Sequence, residues 1–287
     1  MTLDGMLQRL PVTTLREEVT RVLPLVVEAG KIALRYYAST IQVDFKGQGD
    51  PVTLADREIN AFLVRELRAA FPEDAILAEE SADEPEKRLD HRRLWCVDPL
   101  DGTQEFTEHV DHQWAIMVGL AISGTAVLGI VYPPTRGQVL LGVTTEGAWV
   151  WEGERWHPLR VSDVQDPTQA VIAISRSHRS PRVDAIIRQL GVQREIRHGS
   201  VGMKVSLLAT RQADLYIHPT PGTKEWDLCA PEAILKAAGG EMTDMYGRPL
   251  RYNKPDPKNP HGLVASNGYL HHAALTAVRH TVVERQT

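Results

Sequence analysis

The chain has 287 residues, of which 43% are hydrophobic and 24% are charged. This composition is typical of a globular protein and excludes a disordered chain, and the length allows one large domain or two modest ones. The formal net charge of -5 argues against nucleic-acid polymers and anionic membranes as partners, because both require a basic face. The 2 cysteines argue against a disulfide framework and favour a reducing compartment, so we expect a cytoplasmic protein.

The first half of the chain predicts two helices and then a series of strands. Apolar residues at helical spacing predict a helix from Leu15 to Tyr37, which Pro24 should kink or split, and a second helix from about Leu54 to Phe71. The charged segment 82–93 is expected to be a solvated loop, with a mobile lid as the alternative. The predicted strands are Ile41–Phe45, Ala75–Leu77, Leu94–Val97, two within Gln113–Tyr132, Val139–Val143 and Ala148–Trp151.

The uncharged stretch from Gln113 to Tyr132 has the length of a membrane span. Its centre is Ser123-Gly124-Thr125, and the glycines on either side disfavour a helix. We therefore predict two buried strands joined by a short turn, and no contact with a membrane.

The second half of the chain alternates strands and helices. The polar segment 152–169 predicts a boundary between residues 1–160 and residues 161–287. Blocks of helices and strands indicate a layered α/β fold rather than a barrel. The predicted elements are strands at Val171–Ser175 and Leu215–His218, helices at Arg182–Leu190, Met203–Thr210 and Ala230–Ala238, and a last strand and helix after a loop at Asn253–Pro260.

Two carboxylates three residues apart, Asp98 and Asp101, follow a predicted strand in the run Asp98-Pro-Leu-Asp-Gly-Thr103. Mg²⁺ prefers oxygen ligands and keeps waters that a phosphate can replace. The helix that Thr103 would open offers main-chain N–H groups to that phosphate. Taken alone, however, Asp-Gly-Thr is more often a turn with a helix cap.

Three further acidic sites lie at the ends of predicted elements. Glu79 and Glu80 follow a strand, Asp56 lies three residues after Thr53 at the start of a helix, and Asp227 opens another helix. Each has an ordinary explanation, namely a polar loop, a capping arrangement and a favourable position in the helix dipole. Gathered in one place, these groups would repel one another without divalent cations. Paired metal ions drive phosphoryl hydrolysis, which makes such a cluster a candidate active site.

Together these motifs resemble the ordered motif set of the inositol monophosphatase superfamily, whose members are Mg²⁺-dependent, lithium-sensitive phosphomonoesterases. The motifs are Asp50-Pro-Val-Thr-x-x-Asp56, Ala78-Glu-Glu-Ser81, Asp98-Pro-Leu-Asp-Gly-Thr103 and Trp226-Asp227. Within the superfamily the chain is most similar to the 3'(2'),5'-bisphosphate nucleotidases. This similarity lies in Gln104-Glu-Phe106, Ser175-Arg-Ser-His178 and the run from Pro221 to Leu235.

The resemblance implies a fold and a set of roles. The implied fold is a layered α/β/α/β/α sandwich with the metal site between two sub-domains, most metal ligands in residues 1–160 and the nucleotide contacts in residues 161–287. The implied ligands of two or three Mg²⁺ ions are Glu79, Asp98, the Leu100 carbonyl, Asp101 and Asp227. The implied catalytic residues are Asp56, Thr103 and Glu79, and the implied substrate contacts are Ser175, His178, Ser200, Lys204 and Asp227.

The implied reaction is hydrolysis of the 3'-phosphate of adenosine 3',5'-bisphosphate to AMP and phosphate, with the sulfated nucleotide as a second candidate substrate. The expected partner is thus a small phosphorylated nucleotide. Two alternatives stay open: an inositol monophosphatase or sugar bisphosphatase on the same scaffold, and a non-catalytic sensor of nucleotide or metal. The oligomeric state, monomer or homodimer, also stays open.

Overall fold

The computed structural model describes residues 2–39, 43–45, 51–177 and 179–283. Its first half contains α1 (Leu3–Gln8), α2 (Arg16–Tyr37), β1 (Val43–Phe45), β2 (Pro51–Thr53), α3 (Leu54–Ala70), β3 (Ala75–Ala78), α4 (Pro85–Arg88), β4 (Arg93–Asp101), α5 (Thr103–Thr107), β5 (Ala115–Ile122), β6 (Thr125–Tyr132), β7 (Val139–Val143), β8 (Gly147–Glu152) and β9 (Arg155–Leu159). Its second half contains β10 (Val171–Ser175), α6 (Pro181–Leu190), β11 (Arg194–His198), α7 (Val201–Ala209), β12 (Leu215–His218), α8 (Glu225–Ala237), β13 (Glu241–Thr243), β14 (Leu263–Ser266) and α9 (His271–Val283).

The described strands form two large sheets and one small antiparallel sheet of β1 and β2. The first large sheet has the order β3-β4-β5-β6-β7-β8-β9 and is antiparallel except for the β3–β4 pair. The second has the order β11-β10-β12-β14-β13, with β10 parallel to both of its neighbours. β5 and β6 pair in an antiparallel hairpin, which confirms the prediction of two strands in the uncharged stretch. Among the described residues, no helix is both long enough and apolar enough to span a membrane.

Helices and sheets stack in five layers. α2 and α3 cover the outer face of the seven-stranded sheet, where Leu63 packs in one core with Trp95. α7 and α8 lie between the two sheets, and Ile234 of α8 packs in a core with Leu140. α6 and α9 cover the outer face of the five-stranded sheet, with Ile186 in their core. The predicted layered α/β/α/β/α fold is therefore confirmed.

Three glycines let α8 lie very close to the seven-stranded sheet. Gly119, Gly129 and Gly142 pair across β5, β6 and β7. A Cβ on any of them would lie within 2.6 Å of backbone atoms of α8. Because helix backbone cannot move aside as a flexible side chain can, these positions exclude larger residues. This close packing holds the N-terminal end of α8 beside β4, where the two halves of the chain meet.

The structure modifies two local expectations. Segment 82–93 is not simply a solvated loop, because it contains α4 and its Arg88 is buried. The Arg88 guanidinium donates hydrogen bonds to Asp83 and to Asn253, and these contacts anchor the segment. Pro24 does not split the first predicted helix, because it lies inside the single helix α2, and the kink stays a prediction.

Other differences concern the ends of the sheets and the chain regions outside the described residues. β9 lies within the polar segment 152–169, so the first sheet extends to Leu159. The division of the chain near residue 160 stays a prediction. Helices α7 and α8, which follow that position, pack on strands of the first half. The start of the predicted strand at Ile41 falls outside the described residues.

Both cysteines, Cys96 and Cys229, are buried and free.

Candidate active site

A polar pocket of about 340 Å³ opens where the end of β4 meets the N-terminal ends of α7 and α8. Both halves of the chain contribute to its wall. The lining residues are Glu79, Asp98, Leu100, Asp101, Gly102, Thr103, Gln104, Glu105, Ser175, Ser177, Gly199, Ser200, Val201, Lys204, Tyr216, His218 and Asp227. The pocket therefore brings together motifs that lie far apart in the sequence.

The end of β4 carries Asp98 and Asp101 into this pocket. Side chains alternate between the two faces of a regular strand, so residues three apart would face opposite sides. The pairing of β4 with β5 shifts its register between Asp98 and Asp101, and this irregularity lets both carboxylates line the same pocket. Gly102 then adopts a φ of +95°, a conformation that favours glycine, and α5 begins at the next residue.

Asp56 and Thr103 form a hydrogen-bonded pair at the edge of the pocket. Asp56 is 1% exposed and lies in the first turn of α3. Its Oδ2 accepts hydrogen bonds from the main-chain N–H and the hydroxyl of Thr53, which confirms the predicted capping arrangement. Its Oδ1 accepts a hydrogen bond of 3.1 Å from the Thr103 hydroxyl. Burial raises the pKa of Asp56, and the hydrogen bonds from Thr53 and Thr103 oppose this shift.

Glu79 and Asp227 approach the pocket from two other directions. The main-chain N–H of Glu79 donates to the Val97 carbonyl at 3.1 Å, so Glu79 extends the β3–β4 pairing toward the site. Asp227 lies in the first turn of α8, where its Oδ2 accepts a 2.7 Å hydrogen bond from the main-chain N–H of Lys224. The helix-dipole position expected of Asp227 is thus real, and the same residue also lines the pocket.

The carboxylates at the centre of the pocket repel one another, which disfavours their ionised forms. Burial raises the pKa of Asp98 well above its ordinary value, and repulsion from Glu79, Asp101 and Asp227 raises it further. The pKa of Asp227 is raised in the same way, first by burial and then by Glu79. Within the described part of the chain, neither Asp98 nor Asp227 forms a salt bridge with a basic side chain. The pocket therefore concentrates negative charge around Asp98 and Asp227.

This donor set fits divalent cations that bind through oxygen. Mg²⁺ accepts carboxylate and carbonyl oxygens, needs only a few from the protein, and fills its remaining positions with water or phosphate. The described residues contain no group of three or more histidine, cysteine, aspartate or glutamate side chains drawn together closely enough to hold an ion directly. The fit therefore rests on the mutual repulsion of the buried carboxylates and the oxygen chemistry of the pocket wall, with waters completing any coordination.

Asp101 differs from the other carboxylates because the N-terminus of α7 holds it. Its two oxygens accept hydrogen bonds from the Ser200 hydroxyl and from the main-chain N–H groups of Val201, at 3.1 Å, and Gly202, at 2.6 Å. Ser200 is also the N-cap of α7, accepting a hydrogen bond from the Met203 N–H. These contacts tie the end of β4 to the second half of the chain.

Lys204 is buried beneath this contact. Its side-chain ammonium donates to the carbonyls of Gly199 and Ser200, at 2.6 and 2.7 Å. Burial lowers the pKa of Lys204 to about 8, and Asp101 and Glu105 oppose that shift. Lys204 therefore holds the turn before α7 as well as lining the pocket.

The described site residues that were predicted lie together, and among them only Asp56 is not part of the pocket wall. Nine of them line the pocket, and Asp56 is one hydrogen bond away from it. His178 and the first motif residue, Asp50, lie outside the described residues. The other eight lining residues, among them Glu105, Ser177, Tyr216 and His218, were not predicted as site residues. The position of His218 at the end of a predicted strand was the signal that could have identified it.

Comparison with known proteins gives a consistent result. The model of the inositol monophosphatase family matches residues 15–284. The 3'(2'),5'-bisphosphate nucleotidase CysQ of Escherichia coli strain K12 is 33% identical over 234 residues, which are 81% of this chain and 92% of that protein. The crystal structure of CysQ from Bacteroides thetaiotaomicron is 28% identical, with a TM-score of 0.73, covering 88% of this chain and 98% of that one. The inositol monophosphatase from Anabaena is 25% identical, with a TM-score of 0.76, covering 93% of this chain and 97% of that one.

Proposed function

Because this chain belongs to the inositol monophosphatase family, a family of phosphatases, we propose that it hydrolyses the 3'-phosphate of adenosine 3',5'-bisphosphate to AMP and phosphate. The observation that carries this proposal is the pocket in which the buried carboxylates, the Thr103–Asp56 pair and a polar wall from the second half meet. The likeness to the bisphosphate nucleotidase CysQ supports the choice of a nucleotide substrate. The sulfated nucleotide is a second candidate substrate for the same site.

In the proposed reaction, Thr103 and Asp56 orient and deprotonate the attacking water. The Thr103 hydroxyl donates to Asp56 Oδ1, which leaves the lone pairs of its oxygen to accept a hydrogen bond from water. The water proton then passes to Thr103 as the Thr103 proton passes to Asp56. The raised pKa of the buried Asp56 makes it a better proton acceptor than an exposed aspartate. The Leu100 carbonyl lies 3.1 Å from the same hydroxyl and helps to fix its direction.

The residues proposed to hold two or three Mg²⁺ ions are Glu79, Asp98, the Leu100 carbonyl, Asp101 and Asp227. When bound, the ions supply positive charge that lowers the pKa of water and stabilises the transferring phosphoryl group. The chain itself supplies the alignment of the water, the phosphate and the leaving 3'-oxygen. Phosphoryl transfer has a loose transition state, so such positioning and electrostatics provide most of the rate.

The second half of the chain is proposed to hold the nucleotide. A bisphosphate nucleotide carries a 5'-phosphate and a base that inositol phosphate lacks, so its recognition needs donors beyond the metal ligands. Ser175 and Ser200 line the pocket and are the proposed contacts, together with His178, which stays a prediction from the sequence. Lys204, which the resemblance also implied as a contact, is proposed to support this wall, because its ammonium donates to the carbonyls of Gly199 and Ser200. The unanticipated His218 adds a further polar group to this wall.

A phosphate-release assay tests the proposal. The purified chain is given adenosine 3',5'-bisphosphate, its sulfated form, inositol 1-phosphate or fructose 1,6-bisphosphate, each with Mg²⁺ and with EDTA. We expect Mg²⁺-dependent release that is most efficient with the two nucleotides, and inhibition by Li⁺, which has a similar radius to Mg²⁺ but half its charge. Thr103→Val is the control for contaminating phosphatase, since it should lose the activity.

A preference for inositol 1-phosphate or fructose 1,6-bisphosphate would contradict the nucleotide assignment and favour the corresponding family activity. No release from any substrate, with nucleotide binding detected by calorimetry, would favour the sensor alternative. The cytoplasmic location stays a prediction, and the oligomeric state stays open between monomer and homodimer.

A further inference from the structure

Arg176 joins the two halves of the chain beside the pocket. It follows directly after β10, and its guanidinium contacts two carboxylates at α5. Its Nε donates a hydrogen bond of 3.2 Å to Glu105 Oε1, and its Nη2 donates to Glu108 Oε2. These partners are 71 and 68 residues away in the sequence. The contact therefore connects the helix that begins with Thr103 to the end of β10, which carries Ser175.

The two carboxylates differ in their surroundings. The Glu105 side chain is 5% exposed, whereas that of Glu108 is 43% exposed. A Cβ added to Gly199 would lie within 2.6 Å of Glu105 Cδ, Cγ and Oε1, so the turn before α7 lies directly against this carboxylate. A buried carboxylate is stable only with a partner for its charge, and Arg176 is that partner. The exposed Glu108 is solvated and depends on Arg176 far less.

α5 depends on such contacts for its position. It has only five residues, too few to be stable as an isolated helix. On one side Phe106 packs edge-to-face on Trp114, with ring centroids 4.9 Å apart. On the other side Glu105 is held by Arg176 and by the close approach of Gly199. Thr103, two residues before Glu105, therefore takes its place from these contacts.

We propose that Glu105 and Arg176 form a positioning pair that holds α5, and with it Thr103, against the loop after β10 during the reaction. This inference rests on the proposed function. Since Arg176 already contacts two carboxylates, its role is to position α5 and not to bind a phosphate of the substrate. Catalytic steps are sensitive to small displacements, so loosening α5 lowers the rate of the chemical step more than the affinity for the substrate.

The test compares Glu105→Gln, Arg176→Met and the double variant with two matched controls. Glu108→Gln removes the exposed partner of the same arginine, and Arg179→Met removes a nearby arginine whose partners are Asp184 and Glu195. We expect kcat to fall about tenfold in both single variants, with KM within about twofold of wild type. The double variant should lose no more than either single variant, because both remove one interaction. Arg176→Lys should recover part of the rate.

Hydrogen exchange provides a readout that does not need turnover. Around α5, the Phe106 N–H donates to the Gly102 carbonyl at 2.9 Å and the Val110 N–H donates to the Glu105 carbonyl at 2.8 Å. In the metal-free protein without substrate, these amides should exchange faster in Glu105→Gln and Arg176→Met than in wild type. Both controls should exchange as wild type does, with mass spectrometry of the peptide over 103–110 as the measurement.

Three results would overturn the inference. A raised KM with unchanged kcat in Arg176→Met, without an effect of Glu105→Gln, would make Arg176 a substrate contact. Equal losses in Glu108→Gln would show that general surface charge is responsible. Unchanged kcat and unchanged exchange in both single variants would show that the pair does not position α5. If the wild type prefers another phosphate ester, the proposed function fails, while the same comparison on that ester and the exchange measurement still test the pair.

Discussion

Asp98→Asn should produce a protein that is inactive as a phosphatase and yet more stable than the wild type without metal. Asp98 is 2% exposed and is repelled by Glu79, Asp101 and Asp227. Asparagine has nearly the same shape and removes the charge. Its side-chain oxygen can still accept the 3.0 Å hydrogen bond from the Leu100 N–H, so that buried donor keeps its partner.

The expected gain follows from the repulsion that is removed. Like charges roughly 6–8 Å apart at an effective dielectric of about 20 repel by about 2–3 kcal/mol. The metal-free cluster relieves part of this by binding protons, so we expect Asp98→Asn to raise the free energy of unfolding by about 1–2 kcal/mol. For a chain of this size that corresponds to an increase in Tm of about 2–8 °C.

Thermal unfolding in EDTA and in Mg²⁺, together with phosphate release, measures these effects. Wild type should gain stability from Mg²⁺ with the logarithm of the Mg²⁺ concentration relative to its Kd, whereas Asp98→Asn should gain much less. Asp74→Asn is the matched control, because Asp74 accepts 2.9 Å hydrogen bonds from Arg93 and Trp95. The same substitution there removes a favourable pair and should lower Tm in EDTA.

The reasoning is refuted if Asp98→Asn is less stable than wild type in EDTA while Asp74→Asn is unaffected. It is also refuted if the Mg²⁺-induced increase in Tm is the same in Asp98→Asn and in wild type. Near-normal turnover by Asp98→Asn, with unchanged circular dichroism, would remove Asp98 from the proposed reaction.

Three further predictions concern the proton path, the turn before α7 and the loss of folding stability at low pH. Thr103→Val should lower kcat about 100-fold while Thr103→Ser keeps most activity, because only a hydroxyl can relay a proton to Asp56. A valine variant as active as wild type would exclude the relay. Lys204→Met should lower kcat/KM on nucleotide and inositol phosphate alike and destabilise the fold by about 2–4 kcal/mol, since the ammonium donates hydrogen bonds to two carbonyls of the turn. A loss of kcat/KM confined to the nucleotide would instead make Lys204 a direct contact. Burial lowers the pKa of His198 from 6.5 to about 4, so the unfolded chain binds its proton first and stability should fall by up to about 3 kcal/mol as the pH drops through this range. His198→Asn should flatten that part of the urea-denaturation profile, and an unchanged profile would contradict the assignment.

The sequence by itself determined the elements and motifs whose signal is local. α2 and α3 repeat their apolar residues at helical spacing, and the buried strands β5 and β6 are nearly continuous apolar runs, so both were predicted. The missed strands β2, β9, β11 and β13 are all edge strands of their sheets. An edge strand pairs on one side only and is often polar, as Arg194–His198 is, so its pattern does not differ from that of a loop.

Only the tertiary structure decided how the motifs meet. Asp98 and Asp101 share one pocket because the pairing with β5 shifts between them, which a spacing of three residues does not indicate. Asp101 contacts the start of α7 about a hundred residues later, and Glu105 contacts Arg176 across 71 residues. Periodicity and capping act over a few residues along the chain, whereas these contacts require the packing of α8 on the glycines of the first sheet. The side chains of the site could therefore be identified from the sequence, whereas their mutual geometry depended on long-range packing.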